Sequence, residues 1–351
     1  MKRALVTGSG GLIGAACVER LWAEGWQVTG VDNDLRAWFF GPGGSTAAMV
    51  RQLQAACRGY EHHALDLRDR GGVDALVAEV RPDLIIHTAA QPSHDRAAAI
   101  PFEDFEVNAV GTLNLLQAAR RHAPESPLCF TSTNKVYGDR PNALPLAELA
   151  TRWDYADGRD GIGEDLGVDQ CLHSLFGASK LAADILCQEY ARYFGMPIGV
   201  FRGGCLTGPQ HAGVELHGYL NYIVRCAVLD EPYTVFGYQG KQVRDQIHAA
   251  DVASLFLEYY RSPRAGEVYN LGGGRANSIS LLETIAALRE RGLALRWRYR
   301  EQPRTGDHIC YISDLAKLRA HFPGWRIEHG LAAILDETAA RYRAAQPARA
   351  A

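Results

Sequence analysis

The feature that most limits what this chain can become is a run of small residues, GSGGLIG at 8–14, set between an apolar run and a helical stretch. Residues 3–8 (RALVTG) read as a strand ending on glycine, and Leu12 to about Glu24 reads as a helix. A second strand, QVTGVDN, ends at Asp32. The alternation continues with a strand HHALDL near 62–67, a helix over 70–80 and a strand at 83–90. A long helix over 103–122 and strands at 127–133 and 197–204 follow. Strands alternating with helices in units of about 30 residues predict an α/β chain with a Rossmann-type doubly wound parallel sheet.

Beyond 204 the rhythm loosens. Strands TVFG and EVYNLGG, with helices near 218–229, 279–291 and 330–344, predict a smaller C-terminal α/β lobe. The expected division is 1–203 for a nucleotide-binding domain and 204–345 mainly for a substrate lobe. Some of the later chain is expected to return to the first domain, and 346–351 reads as a frayed tail. Residues 139–172 carry six Asp, two Glu, several Gly and two Pro without sustained periodicity. A loop of that length inside a compact domain is usually functional, and this one is expected to cover the site.

Composition excludes several classes. A net charge of −3 over 351 residues leaves no electrostatic footprint for nucleic acid or an anionic membrane. No apolar run approaches the roughly 18–20 residues of a membrane helix, and a strand pattern from the first residues leaves no signal peptide. The eight cysteines show no C-x-x-C and no metal-ligand spacing, which reads as reduced thiols in the cytoplasm and no metal site.

The glycine run has a specific use. Gly8, Gly11 and Gly14 permit a tight turn, with Leu12 and Ile13 opening the helix, so that backbone N–H groups meet a pyrophosphate at the positive helix end. Asp32, followed by Asn33, stands where a carboxylate accepts from both adenosine ribose hydroxyls and repels a 2′-phosphate, which favours NAD. Asp66, beside Leu67, is placed to reach the adenine edge. HTAAQ at 87–91 supplies small residues, Ala89 and Ala90, and then Gln91 beneath the cofactor. Asn108 falls mid-helix, where asparagine needs a reason such as a hydrogen bond that shapes the site.

GSGGLIG, HTAAQ, NAVGTLNLL, TSTNKVYGD, GASKLAAD and GKQVRDQIHAADVA occur in this order. Together they resemble the extended short-chain dehydrogenase/reductase family of nucleotide-sugar epimerases and dehydratases over roughly residues 3–345. STNKVYGD and GKQVRD resemble most its branch acting on CDP-sugars at C2. The resemblance implies bound NAD, a nucleoside-diphosphate sugar as substrate and epimerisation through a transient ketone. It implies a homodimer packed through helices near 103–122 and 177–194. It assigns Thr133 and Asn134 to substrate contact, Thr133 at the reacting hydroxyl, and Lys180 to the nicotinamide ribose. Arg244, Arg304 and Asp307 fall to the diphosphate and its ribose. Related 4,6-dehydratases follow the threonine with Asp-Glu; here Asn134-Lys135 disfavours dehydration.

The same resemblance exposes a gap. The family carries a catalytic tyrosine four residues before the lysine, and here that position is Phe176. A positioned general acid/base is worth ~10²–10⁴-fold in rate, and phenylalanine transfers no proton. Either another residue has taken over, or the substrate needs less help, or the protein binds without catalysing. His173, three residues earlier, is expected on the same helix face. Cys205 in RGGCLTGP and Lys135 beside Thr133 are the other candidates. Net oxidation or reduction of a nucleotide sugar and non-catalytic binding of one remain as alternatives to epimerisation.

Overall fold

The computed structural model describes residues 1–210, 218–304 and 306–345; the tail expected at 346–351 lies outside them. Strands β1 (Arg3–Thr7), β2 (Gln27–Val31), β3 (Glu61–His63), β4 (Leu84–His87) and β5 (Leu128–Thr133) lie in the large sheet. A hairpin, β6 (Leu146–Glu148) and β7 (Trp153–Tyr155), stands apart from it. β8 (Ile198–Gly203) rejoins the sheet and β9 (Cys205–Thr207) leaves it. The lobe then supplies β10 (Tyr233–Phe236) and β11 (Val243–His248), after which β12 (Val268–Leu271) returns to the large sheet. β13 (Ser278–Ser280), β14 (Trp297–Arg300) and β15 (Cys310–Tyr311) complete the lobe.

The large sheet runs β12-β8-β5-β4-β1-β2-β3, every pair parallel. Helices cover both faces, so central strands are apolar along their whole length: Leu84, Ile85 and Ile86 are all buried. Strand order reverses between β1 and β4, and a crevice opens there at the carboxyl ends of the strands. The predicted fold class is the observed one.

Several local expectations change. EVYNLGG was expected in the small lobe, but Val268–Leu271 forms the edge of the large sheet. Its Tyr269 ring stacks on Phe201 at 5.4 Å, and that apolar contact outweighs its place in the sequence. HHALDL is a strand only over Glu61–His63; Leu65 to Leu67 run on as loop along the crevice. Helices Leu35–Phe40 and Ala47–Ala56 fill the connection after β2, where no helix was expected. The long helix is interrupted by a π-helical turn at Glu106–Val110, flanked by Pro101–Phe105 and Gly111–His122. Asn108 lies in that widened turn, a frequent device for aiming a side chain inward.

Residues 139–172 do not cover the crevice: none of them lines it among the described residues. They brace the lobe instead. Ile162 exchanges backbone hydrogen bonds with Ile312 (2.7 Å) and Asp314 (2.9 Å), and Trp153 N–H donates to Lys241 O at 2.9 Å. Tyr155 and Ile162 join Tyr137, Val243 and Tyr311 in one apolar cluster. Burial of these side chains, roughly 1.5–3 kcal/mol each for large apolar groups, holds the segment where its acidic composition alone would not.

Candidate active site

The cofactor end is built mostly from backbone. Gly8 adopts φ +68°, a conformation open to glycine, and its N–H donates to Val31 O at 2.7 Å. A Cβ at Gly14 would fall 2.1 Å from Gly8 O, so only glycine lets the helix Leu12–Ala23 pack this close to the turn. Gly11 precedes that helix and makes no side-chain cap, which leaves the first helical N–H groups facing the crevice for an anion.

Asp32 directly follows β2 and is pinned from three sides. It accepts from Gly10 N–H (3.0 Å), Asp34 N–H (2.9 Å) and Thr46 Oγ1 (2.8 Å). Asp66 holds Arg68 through several hydrogen bonds, the shortest 2.7 Å, and accepts from Asn33 Nδ2 at 3.1 Å. The Arg68 hydrogen bonds hold its carboxyl below the ordinary range despite partial burial. Leu12, Ile13, Leu67, Ala89 and Ala90 line the crevice beside these groups. An Arg36 guanidinium, not anticipated, sits against Asp32 and Asp34 with its Nε on Gly44 O at 3.1 Å. Gly44, Ser45, Thr46 and Met49 complete this wall. Their signal was weak because GPGGSTAAM reads simply as loop.

Three expected cofactor residues lie off the crevice. Gly14 acts through helix packing. Gln91 and Asn108 form a buried network: Asn108 Oδ1 accepts Gln91 N–H (2.9 Å), and its Nδ2 reaches Ser179 Oγ (3.0 Å). Ser179 Oγ in turn donates to Asp104 at 2.6 Å. These bonds fix the helix Ser174–Phe194, which carries Lys180, onto the π-turn.

The middle of the crevice is where β5 ends. Lys180 Nζ donates to Thr131 O at 2.8 Å and lies 4.3 Å over the Phe130 ring. Burial lowers its amine to about 8. Thr133 Oγ1 accepts Lys135 N–H at 3.2 Å, and Asn134 lines the wall beside it. Phe176, one helical turn before Lys180, lines the crevice and is 7% exposed. Its side chain carries no ionisable atom.

His173 does not join them. The helix begins at Ser174, whose φ of +63° turns the chain, so the expected helical spacing from His173 to Phe176 is lost. The His173 ring instead lies 3.5 Å from Cys171 Sγ and lines none of the crevice. Cys205 does line it, but burial pushes its thiol up to about 11, against the lowered value a proton carrier there would need.

The far end gathers charge from distant segments. Arg244 on β11 forms an ion pair with Asp307 and donates to Val243 O at 2.6 Å. Arg304 pairs with Asp95. Although burial pushes Asp307 upward, Arg244, Lys135 and Arg304 hold its carboxyl at about 2. Lys135 Nζ donates to Gly306 O at 2.8 Å, and burial lowers its amine to about 8. Gln246 and Tyr219 were missed: Gln246 Nε2 donates to the Tyr219 hydroxyl at 2.6 Å, and both line the crevice. Two-residue spacing from Arg244 on one strand was the available signal for Gln246.

The comparisons with known proteins agree with this geometry. The model of the NAD dependent epimerase/dehydratase family matches residues 4–272. A CDP-paratose 2-epimerase of Salmonella typhi is 32% identical over 90% of this chain and 91% of its own length. A dTDP-glucose 4,6-dehydratase of Neisseria meningitidis is 29% identical over 93% and 88%. Among solved structures, the UDP-glucose 4-epimerase of Thermus thermophilus in complex with NAD superposes with a TM-score of 0.78. It is 28% identical and covers 98% of this chain and 100% of that one. NAD is the cofactor these findings support, and the glycine turn with the pinned Asp32 carboxylate fits it. The chain belongs to the NAD-dependent epimerase/dehydratase family.

Proposed function

We propose that this protein epimerises a nucleoside-diphosphate sugar through a transient ketone, with a CDP-sugar reacting at C2 as the preferred substrate. One observation carries the reading: a single crevice runs from the glycine turn and Asp32, past Thr133 and Lys180, to Arg244, Arg304 and Asp307. Two guanidiniums at one end suit a diphosphate, whose oxygens match their planar fork. The likeness to a CDP-paratose 2-epimerase supports the CDP-sugar and the carbon. Asn134 and Lys135, where dehydratases carry an acidic pair, argue against elimination of water.

Gly8, Gly11 and the helix N-terminus would hold the pyrophosphate of NAD, Asp32 its adenosine ribose and Lys180 its other ribose. NAD supplies reversible uptake of the hydride from the sugar carbon. Thr133 orients the reacting hydroxyl. Arg244 and Arg304 exchange Asp307 and Asp95 for phosphate oxygens, so the sugar is held by its nucleotide while its ring turns. The Lys180 charge, near Thr131 and Phe130, stabilises an oxyanion developing beside Thr133.

A homodimer in the cytoplasm completes the proposal. The exposed Phe102, Phe105, Ile185, Tyr193 and Phe194, on the helices over 101–122 and 174–194, support packing through those two helices. Among the described residues no helix is long and apolar enough to cross a membrane. Phe176 favours a second reading, binding of a nucleotide sugar without turnover.

The test is to incubate the NAD-loaded protein with CDP-, UDP-, GDP- and ADP-sugars and follow the sugar protons by NMR. The expected result is a new C2 stereoisomer of a CDP-sugar with no net NADH. NADH rising in step with product would replace epimerisation by net oxidation, and binding without any change would leave the second reading.

A further inference from the structure

The epimerase reading leaves a proton without a carrier. The reacting hydroxyl must lose a proton as its carbon is oxidised and regain it as the carbon is reduced, and Phe176 does neither. Apart from Lys180, which the epimerase reading gives to the nicotinamide ribose, and the arginines, which stay protonated, the ionisable neutral-to-basic groups lining the central and far crevice among the described residues are Lys135, Cys205 and Tyr219. The Tyr219 hydroxyl already accepts from Gln246, and burial raises its phenol well above the ordinary value. The Cys205 thiol stays protonated for the same reason.

Lys135 differs in position and in poise. It stands on the 3-10 turn Asn134–Tyr137 that begins at Thr133, and its own N–H donates to Thr133 Oγ1. Thr133 and Lys135 therefore share one turn that lines the crevice. Its Nζ makes one described hydrogen bond, to Gly306 O at 2.8 Å. A neutral amine in that place keeps a second N–H and a lone pair.

The groups facing it come from three segments: Asp307, Arg304 and His308 from the loop before β15, Arg244 from β11, and Cys205 from β9. Burial lowers the amine to about 8, Arg244 and Arg304 push the same way, and Asp307 opposes them. His308 is held neutral by its own burial.

We propose that the ε-amine of Lys135 is the proton carrier of this site, taking over the work of the phenol absent at Phe176. The inference rests on the epimerase reading. In the forward half, the O–H bond breaks and its proton goes to the Nζ lone pair, giving an ammonium. The carbon's C–H pair leaves as hydride to bound NAD, and a C=O bond forms. In the return half, hydride comes back to the opposite face and the ammonium gives its proton to the alkoxide oxygen. No proton or electron is left over, and the amine is restored.

Four forms of the NAD-loaded full chain test this: wild type, Lys135→Met, Phe176→Tyr and the double variant. With the CDP-sugar that turns over, Lys135→Met is expected to lower kcat by at least ~10²-fold while sugar and NAD still bind. The double variant is expected to regain at least about tenfold, because a phenol at 176 does the same work. A limb in the wild-type pH profile should vanish from the double variant. Lys135→Met that keeps its kcat, or loses it with no rescue by Phe176→Tyr, overturns the proposal. A loss in Tyr219→Phe but not in Lys135→Met moves the role to the phenol at 219.

A second readout needs no substrate. The chain has only five lysines, so ¹³Cε-labelled lysine gives a spectrum that single variants assign. The resonance missing from Lys135→Met should titrate near 8; one titrating at the ordinary value of about 10.4 overturns the poise of Lys135. If wild type turns over no sugar, the epimerase reading fails by itself, and this titration still decides whether the amine is poised.

Discussion

The two ends of the crevice are made of different material. At the cofactor end, the turn at Gly8–Gly11, the helix N-terminus and small residues such as Ala89 and Ala90 present backbone, with Asp32 the carboxylate pinned among them. At the sugar end, Lys135, Arg244, Arg304 and Asp307 present side chains from three segments well separated in the sequence. Backbone geometry survives only with glycine where glycine is needed. Side-chain chemistry can be reassigned without moving the fold.

The sharpest break in this comparison is Gly14→Val. Its Cβ would meet the Gly8 carbonyl, which no rotamer relieves, so a loss of at least about 3 kcal/mol of stability is expected, together with NAD binding. Thermal melting with and without NAD reads both. A variant that still binds NAD normally would show that the turn is not held by close packing.

Arg244→Ala should act on the other end alone. A charge-assisted contact is worth ~1.5–3 kcal/mol, so nucleotide-sugar affinity should fall roughly 10–100-fold by calorimetry. NAD affinity should not change. Equal losses of both ligands would erase the division between the two ends.

Acid separates the ends by titration. His87, under the cofactor end, lies buried between Thr7 Oγ1 (2.7 Å) and Thr112 Oγ1 (2.9 Å), and burial lowers its imidazole to about 3. The unfolded chain binds that proton more readily. The contribution of neutral His87 is therefore complete above about 6.5 and drains as pH falls towards about 3, by up to ~1.4 kcal/mol per pH unit. Asp307, held at about 2, stays ionised throughout that window. Denaturant midpoints of wild type against His87→Gln, measured from pH 7 to 4, should converge as pH falls. Parallel curves would remove His87 as the acid-sensitive element.

The smallest effect belongs to His173→Ala. Its ring lies beside Cys171 and outside the crevice, so turnover and affinity should stay at wild-type levels. A large loss of turnover would return His173 to the proton path.

What was legible follows the same division. GSGGLIG and Asp32 could be read because a turn and a strand end are local, and local geometry is written in adjacent residues. Family likeness then placed Arg244, Arg304 and Asp307, and all three line the far end. Helical spacing failed at His173 because a single left-handed residue, Ser174, starts the helix later than the pattern suggests. Gln91 and Asn108 were placed at the right depth but one layer off, since hydrogen bonds to Ser179 and Asp104 depend on a π-turn with no simple sequence mark. The acidic segment 139–172 was read as a cover because composition shows no partner, whereas its apolar contacts with β15 make it a brace.

Transient oxidation within one crevice keeps the sugar's own hydrogen through turnover. It is tested most directly by supplying a CDP-sugar deuterated at C2 to the NAD-loaded protein and following the label by NMR. The expected product is a C2 epimer that keeps its deuterium, with total NADH unchanged. Loss of the label to solvent, or its steady accumulation in reduced cofactor, would contradict it.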